Sequence, residues 1–221
     1  MRLSVLPKYR IIEKNSCKIL QAVLQVISSA RELLKLQNYM TNNHRLQEIL
    51  ANSPIAEVLP AIAQINLPDW WLAGGAIRNT VWHSIFGEEC KLFIKDFDIA
   101  FFDATGDRNQ ELAAKARLTE QFPQHLFDVK NQASFGNWRS GLRVFTSTED
   151  GIMNWLHTTA AVGVKVNKKG EWQFFTPYGL EDLFNGVIRP TPINVCNPDA
   201  DNKAKELFMK CSCLRSDSNS H

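Results

Sequence analysis

The chain has 221 residues, 44% of them hydrophobic, and a formal net charge of +2 at pH 7. This length and composition suffice to bury one sizeable core, and the small net charge argues against a protein that binds nucleic acid through a clustered basic surface. No stretch approaches the roughly 18 apolar residues that a membrane span needs, and no apolar leader precedes a small-residue cleavage site, so we expect a cytoplasmic protein without a membrane partner.

The five cysteines are odd in number and lack the spacing of metal ligands. Neither a disulfide framework nor a zinc site is therefore expected, and Cys211 and Cys213 form only an isolated C-x-C pair. Lys91 and Lys95 are local basic positions that we interpret as solvated surface. These features favour a reduced intracellular protein.

Helical patterns fill the first third of the chain. Apolar residues recur at helical spacing over 16–40, with Ser16 as a suitable N-cap. Two further helices are predicted over 42–53 and 54–65. Residues 1–66 are therefore expected to form a helical N-terminal region that packs on the core.

Strands and helices alternate after this region. The next elements are predicted to be a strand, a helix, the strongest strand of the sequence, a helix and a strand, over 69–73, 76–87, 91–103, 107–122 and 125–131. They are followed by a short helix capped by Thr148, a hairpin with a glycine turn, a second short helix and a last strand, over 149–155, 161–176, 179–185 and 187–190. Residues 196–221 are polar and are expected to hold one helix, around 202–210, and a disordered tail, 216–221.

Two adjacent glycines, Gly74 and Gly75, lie between the first strand of this series and its helix. Flexible backbone at the start of a helix allows a ligand to approach the main chain closely, and the free N–H groups there suit an anion. The turn is therefore either a phosphate-binding site or simply a tight connection between strand and helix.

Acidic residues lie on one face of the strongest predicted strand. Side chains alternate along a strand, so Asp96 and Asp98 share one face of "KDFDIAFF" while the apolar residues share the other. Asp128, in the strand "LFDVK", is a third acid in a similar setting. A divalent cation would remove the repulsion between such carboxylates, and Mg²⁺ is bound by one or two carboxylates together with phosphate oxygens. The alternative is that all three acids face water.

The combined series "GGAIRN", "KDFDIAFFD" and "FDVKNQ" resembles the nucleotidyltransferase superfamily typified by DNA polymerase β and the CCA-adding enzymes. The longer series "WLAGGAIRNTVW", "KDFDIAFFD", "VKNQA" and "YGLEDLF" is similar to an uncharacterised bacterial family of nucleotidyltransferase-like proteins. The resemblance covers about residues 45–190. It implies an α+β fold with a polymerase β-like mixed sheet flanked by helices, and a catalytic core over 67–195.

The resemblance also implies roles for individual residues. Gly74 and Gly75 would hold the phosphates of a nucleoside triphosphate (NTP). Asp96 and Asp98 would bind two Mg²⁺ or Mn²⁺ ions, and Asp128 would complete the metal site.

Two further positions follow the glycines. Arg78 matches the arginine of the GG-x-x-R turn of CCA-adding enzymes, and Asn79 stands where those enzymes have an aspartate. Arg78 is expected to neutralise charge on the leaving group, with a surface salt bridge as its alternative.

The residues after the third acid are Lys130 and Asn131, followed by Gln132. They either contact the base or acceptor, or close a turn. The following segment, "SFGNWRSG", departs from the family pattern where an arginine and a histidine are expected, which affects the acceptor side and not the metal site. His83, His157 and the tryptophans are interpreted as structural residues.

The implied reaction moves a nucleoside monophosphate from an NTP, expected to be ATP, to an acceptor hydroxyl with release of pyrophosphate. The weak basicity favours a small-molecule or protein acceptor over RNA. Two alternatives are a catalytically inactive nucleotide-binding or regulatory module, and a nucleic-acid partner protein with no NTP site. Three intact acids argue against the first, and the near-neutral charge argues against the second.

Overall fold

The computed structural model describes residues 28, 32–35, 37–106, 108–134 and 144–217. The chain divides into two units, residues 1–42 and 43–221. Those residues of the first unit that the structure describes are helical. Most of the predicted helix over 16–40 lies outside the described residues.

The second unit begins with two helices. Residues 43–51 form α1, and α2 spans Pro54–Ile65. The Oγ atom of Ser53 accepts a hydrogen bond from the Ile55 N–H and so caps α2, which Pro54 opens. Both helices bury apolar residues in the main core, including Leu46, Leu50 and Ile55.

A mixed five-stranded sheet forms the centre of the unit, in the order β3-β2-β1-β4-β5. The strands are Trp71–Ala73 (β1), Phe97–Phe101 (β2), Phe127–Asn131 (β3), Gly163–Val166 (β4) and Trp172–Phe175 (β5). β2 and β3 are parallel, whereas β1 pairs antiparallel with both β2 and β4, and β4 pairs antiparallel with β5. The parallel pairing places the carboxyl ends of β2 and β3 at the same edge.

Within the described residues, five further α-helices belong to this unit. They are Gly75–Phe86 (α3), Arg108–Gln121 (α4), Thr148–Met153 (α5), Glu181–Phe184 (α6) and Pro198–Lys210 (α7). The main core includes Leu72, Ile77 and Phe97, and a smaller apolar cluster contains Trp71, Ala100 and Ile152. The sheet is therefore covered by apolar side chains on both faces, which fixes the direction in which its polar residues point.

The C-terminal segment is more ordered than the sequence indicates. Val187–Ile188 (β6) pairs in parallel with Arg215–Ser216 (β7). The guanidinium group of Arg189 forms ion pairs with Asp182 and Asp217. The prediction of a disordered tail is therefore wrong for Ser216 and Asp217, whereas residues 218–221 lie outside the described part of the chain.

Other element boundaries also differ from the predictions. The strand expected over 91–103 is regular only over Phe97–Phe101, and residues 91–96 form an irregular segment. The cap of α5 is Ser147 and not Thr148, because the Ser147 hydroxyl accepts from the Asp150 N–H. No helix within the described ranges has the length and apolar character to cross a membrane.

Candidate active site

The Gly-Gly turn connects β1 to α3. Gly74 has φ +79° and ψ −133°, a conformation that only glycine adopts readily, and a Cβ atom at this position would lie 2.7 Å from the ring of Trp155. The N-cap residue, Gly74, has no side chain to accept a hydrogen bond from the first turn of α3, and this turn holds no acid. The free N–H groups and the helix dipole at this end therefore suit an anion.

The three acids are brought together by the sheet. Asp98 and Asp128 are direct partners in the parallel register of β2 and β3, and Asp98 is also paired with Ala73, the residue before the turn. The Asp98 carboxylate accepts a hydrogen bond from the Gly75 N–H. Asp96 interacts electrostatically with Asp98 from the same strand segment. Asp98 thus lies beside Asp128 and next to the start of α3, with Asp96 close enough to affect its charge.

Asp98 is in an unfavourable environment for a negative charge. Burial, followed by the charges of Asp96 and Asp128, raises its pKa from 3.8 to about 7, although the Gly75 N–H and the Arg78 guanidinium favour the ionised form. Asp128 has a cationic neighbour, since Lys130 Nζ lies 3.3 Å from its Oδ1 atom. The site therefore has negative charge that a cation would stabilise.

Arg78 lies in the first turn of α3 and is only 5% exposed. Its Nε and Nη2 atoms donate to Asn79 Oδ1 at 3.1 and 3.0 Å, and no carboxylate in the described part of the chain forms an ion pair with it. Burial lowers its pKa to about 10, against the opposing effects of Asp98 and Glu206. The surface salt bridge considered for Arg78 is not observed. A buried guanidinium with a neutral partner has charge available for an anionic ligand.

Asn79 and Asn131 form hydrogen bonds that position other residues in and around the site. Asn79 orients Arg78 through Oδ1, and its Nδ2 atom donates to the Phe93 carbonyl oxygen at 2.8 Å. Asn131 is 2% exposed, and its side chain is bonded to the backbone of Asp103 and Ala133. These contacts favour the turn-closing alternative for Asn131 and a positioning role for Asn79.

A cavity of about 860 Å³ opens in front of the carboxylates. Of the residues predicted to form the site, Asn131 alone does not line it. The cavity is also lined by residues for which the sequence offers no motif, including Trp155, His157, Asn194, Lys203, Glu206 and Lys210. Trp155 was assigned to the core, yet its ring packs against Gly74 and its Nε1 atom lies 3.5 Å from Gln132 Oε1.

The geometry defines a class of protein: an α+β domain in which paired carboxylates on neighbouring strands adjoin a glycine turn at a helix N-terminus and a buried arginine. Comparison with known families identifies the class. Residues 60–215 match the model of a family described as nucleotidyltransferase. The match covers more than half of the chain, which therefore belongs to the nucleotidyltransferase family. No curated protein sequence is significantly similar to it.

Solved structures show the same fold. An NMR structure described as revealing a CCA-adding enzyme head domain has a TM-score of 0.66 and 28% identity, with 79% of this chain and 95% of that chain covered. A CCA-adding enzyme in apo form I has a TM-score of 0.55 and 17% identity, over 79% of this chain and 43% of that one. A CCA-adding enzyme in complex with CTP has a TM-score of 0.53 and 16% identity, over 80% and 42%. The predicted polymerase β-like fold is confirmed.

The residues present suit divalent cations. Among the described residues, no group of three or more His, Cys, Asp or Glu side chains is arranged to hold a metal ion. Mg²⁺ in such sites is bound by one or two carboxylates together with substrate phosphates. Asp96 and Asp98, with Asp128 beside Asp98 on the neighbouring strand, supply this donor set.

Proposed function

We propose that this protein transfers a nucleoside monophosphate from an NTP to an acceptor hydroxyl in a reaction that requires divalent metal ions. One observation carries the proposal: Asp98 lies opposite Asp128 and against the Gly75 N–H, beside the buried Arg78. This arrangement offers sites for metal ions and for phosphate within one cavity.

The phosphates would lie at the start of α3. The N–H groups that follow Gly74 would donate to the β- and γ-phosphate oxygens, and Arg78 would neutralise the charge that develops on the leaving pyrophosphate. The Gly75 N–H, which donates to Asp98 in this structure, would become available when that carboxylate turns toward a cation.

The carboxylates would hold the metal ions. Asp96 and Asp98 would contact both ions, and Asp128 would complete the coordination of one. Bound ions would neutralise phosphate charge and lower the pKa of the acceptor hydroxyl.

The reaction is a substitution at the α-phosphorus. The acceptor oxygen forms a bond to this phosphorus, the bond from the phosphorus to the bridging oxygen breaks, and the hydroxyl proton passes to Asp128 or to solvent. Lys130, 3.3 Å from Asp128, would limit the negative charge at that position.

Thermal unfolding with Mg²⁺ and each non-hydrolysable NTP in turn tests the proposal without knowledge of the acceptor. A ligand at 100 times its dissociation constant stabilises a protein by about 2.7 kcal/mol. We expect a metal-dependent increase in Tm, largest with the ATP analogue, that is lost in the double variant Asp96→Ala/Asp98→Ala. Absence of a shift with every nucleotide would contradict it. Binding without transfer to any acceptor would instead support an inactive nucleotide-binding module.

A further inference from the structure

An extended segment with two lysines and a phenylalanine borders the cavity next to the carboxylates. In residues 91–95, exposed positions alternate with less exposed ones, so Lys91, Phe93 and Lys95 lie on one side while Leu92 is buried on the other. All three of these exposed residues line the cavity, as does Leu92. The sequence pattern K-x-F-x-K is therefore presented to the site and not simply to solvent.

The two lysines have no partners within the described residues. Neither forms an ion pair or a side-chain hydrogen bond there, in contrast to Lys130, which pairs with Asp128. Both cavity-lining ammonium groups are thus available to a ligand.

Phe93 is held in an exposed position. Its side chain is 64% exposed, although its backbone carbonyl accepts from Asn79 Nδ2 and its ring centroid lies 5.1 Å from that of His83. An aromatic ring fixed at the edge of a cavity offers a flat apolar surface to the ring of a ligand.

Helix α7 adds further positive charge nearby. The Lys91 N–H donates to the Lys210 carbonyl oxygen at 2.9 Å, which places the end of α7 beside the segment. Lys203 and Lys210 share a single carboxylate, that of Glu206, at 2.8 and 2.6 Å. With Asp199 also lining the cavity, four lysines face two acids on this side. The net charge of these six side chains is therefore positive.

We propose that this side of the cavity binds the acceptor, and that the acceptor is a small molecule with a ring and a phosphate group. The phosphate would contact the lysines, the ring would lie on Phe93, and the hydroxyl would point toward Asp96 and Asp98. Lys95 directly precedes Asp96, and the backbone from Lys91 to Lys95 spans at most about 14 Å. A compact phosphorylated molecule can therefore contact the lysines and the Asp96 carboxylate at the same time. The inference rests on the proposed function, because it assigns the substrate of the same site.

The test is the binding of phenyl phosphate, measured by calorimetry with Mg²⁺ and a saturating non-hydrolysable ATP analogue. We expect phenyl phosphate to bind together with the nucleotide and phenol to bind at least tenfold more weakly. The double variant Lys91→Gln/Lys95→Gln should weaken phenyl phosphate at least tenfold while changing the affinity for the nucleotide less than threefold. Lys168→Gln/Lys169→Gln, in the exposed turn between β4 and β5, is the control with an equal loss of charge.

Three outcomes would overturn the inference. Phenyl phosphate binding that is unaffected by Lys91→Gln/Lys95→Gln would show that these lysines are surface charges only. Competition between phenyl phosphate and nucleotide, with both weakened by this variant, would assign the lysines to the triphosphate. A single-stranded oligoribonucleotide that binds a hundredfold more tightly through the same lysines would make the acceptor a nucleic acid. If the proposed function itself is wrong, the protein will not bind nucleotide in a metal-dependent way. This result is distinct from the three outcomes above.

Discussion

Asp98 accepts a hydrogen bond from the backbone N–H of Gly75, the residue that begins α3. The carboxylate therefore occupies a position at the helix N-terminus that suits a phosphate oxygen. In the free protein, one proposed metal ligand caps the proposed phosphate site, and both become available only when a cation draws Asp98 away. Metal and nucleotide should consequently bind with positive cooperativity.

Replacing Asp98 with asparagine separates catalysis from stability. The amide removes a buried charge that Asp96 and Asp128 repel, so the free energy of unfolding without metal should stay within about 1 kcal/mol of wild type or increase. Transfer should fall by at least a hundredfold because a metal ligand is lost. Denaturant unfolding measures the free energy of unfolding, and a pyrophosphate-release assay measures the rate of transfer. Asp201→Asn, in the first turn of α7, is the control, and a strongly destabilised Asp98→Asn with activity retained would contradict the proposed role.

Asn79→Asp tests whether Arg78 needs a neutral partner. The new carboxylate would still accept from the guanidinium, but it would neutralise the charge intended for phosphate and lose the bond to the Phe93 carbonyl. We expect the Kd for the ATP analogue with Mg²⁺ to increase about tenfold, since charge-assisted bonds contribute roughly 1.5–3 kcal/mol. Asn52→Asp, an exposed position outside the cavity, applies the same chemical change and should leave the Kd unchanged. Equal affinities of wild type, Asn79→Asp and Asn52→Asp would contradict the proposed role of Arg78 in binding phosphate.

Gly74→Ala should be more costly than Gly87→Ala. The two glycines have similar dihedral angles, with φ +79° and ψ −133° at Gly74 and φ +59° and ψ −139° at Gly87. A Cβ atom at Gly87 meets nothing within 4 Å, whereas at Gly74 it lies 2.7 Å from the Trp155 ring and 3.1 Å from Asp98 Oδ2. In both variants, backbone strain should lower the free energy of unfolding by about 1–3 kcal/mol. In Gly74→Ala, overpacking should lower it by about 1–3 kcal/mol more. Denaturant unfolding measures the difference, and equal losses would show that Trp155 moves aside freely.

His157 makes the stability of the protein depend on pH. It is 1% exposed, and burial lowers its pKa from 6.5 to about 4, although a bond to the Ala200 carbonyl oxygen opposes this effect. The unfolded chain therefore takes up a proton before the folded one does. The contribution of the neutral His157 side chain to the free energy of unfolding is complete above pH 6.5. It is lost as the pH falls toward 4, and about 2 kcal/mol of it is lost by pH 5.

Urea unfolding at pH 7.5 and pH 5 measures this effect. His157→Gln should show a smaller loss between the two values, because glutamine does not titrate in this range. His44→Gln is the matched control, since His44 is exposed on α1 and no buried partner holds it. The raised pKa of Asp98 acts in the opposite direction, because the folded state takes up that proton first. The same change between the two pH values in wild type and His157→Gln would contradict the assignment to His157.

Local pattern explains which parts of the site were predictable. Asp96, Asp98 and Gly74 are recognised from a strand period and a strand-to-helix junction, both of which are properties of neighbouring residues. Trp155 and Lys203 join the site through tertiary packing, and nothing in their local sequence distinguishes them from core or surface residues. Lys91 and Lys95 were correctly expected to be exposed, but only the cavity shows what they face.

The limits of the strand prediction have a similar cause. Residues 91–96 have the composition of a strand. Within the part of the chain that the structure describes, however, their backbone pairing is limited to the adjoining bridge of Cys90 with Cys211 and the Lys91–Lys210 bond. Apolar and branched residues indicate what can pair, whereas the partner is determined by distant parts of the chain. The same reason applies to Ser216 and Asp217, whose order depends on β6 and Arg189.

The position of α7 determines when the cavity is completed during synthesis. Its residues Lys203, Glu206 and Lys210 follow every strand of the central sheet in the chain, and they meet Lys91 only after a long loop has closed. Since a nascent chain emerges from its N-terminus, the sheet with its carboxylates can assemble while this part of the cavity lining is still absent. The ability to enclose a substrate is therefore a late event in the biogenesis of this protein.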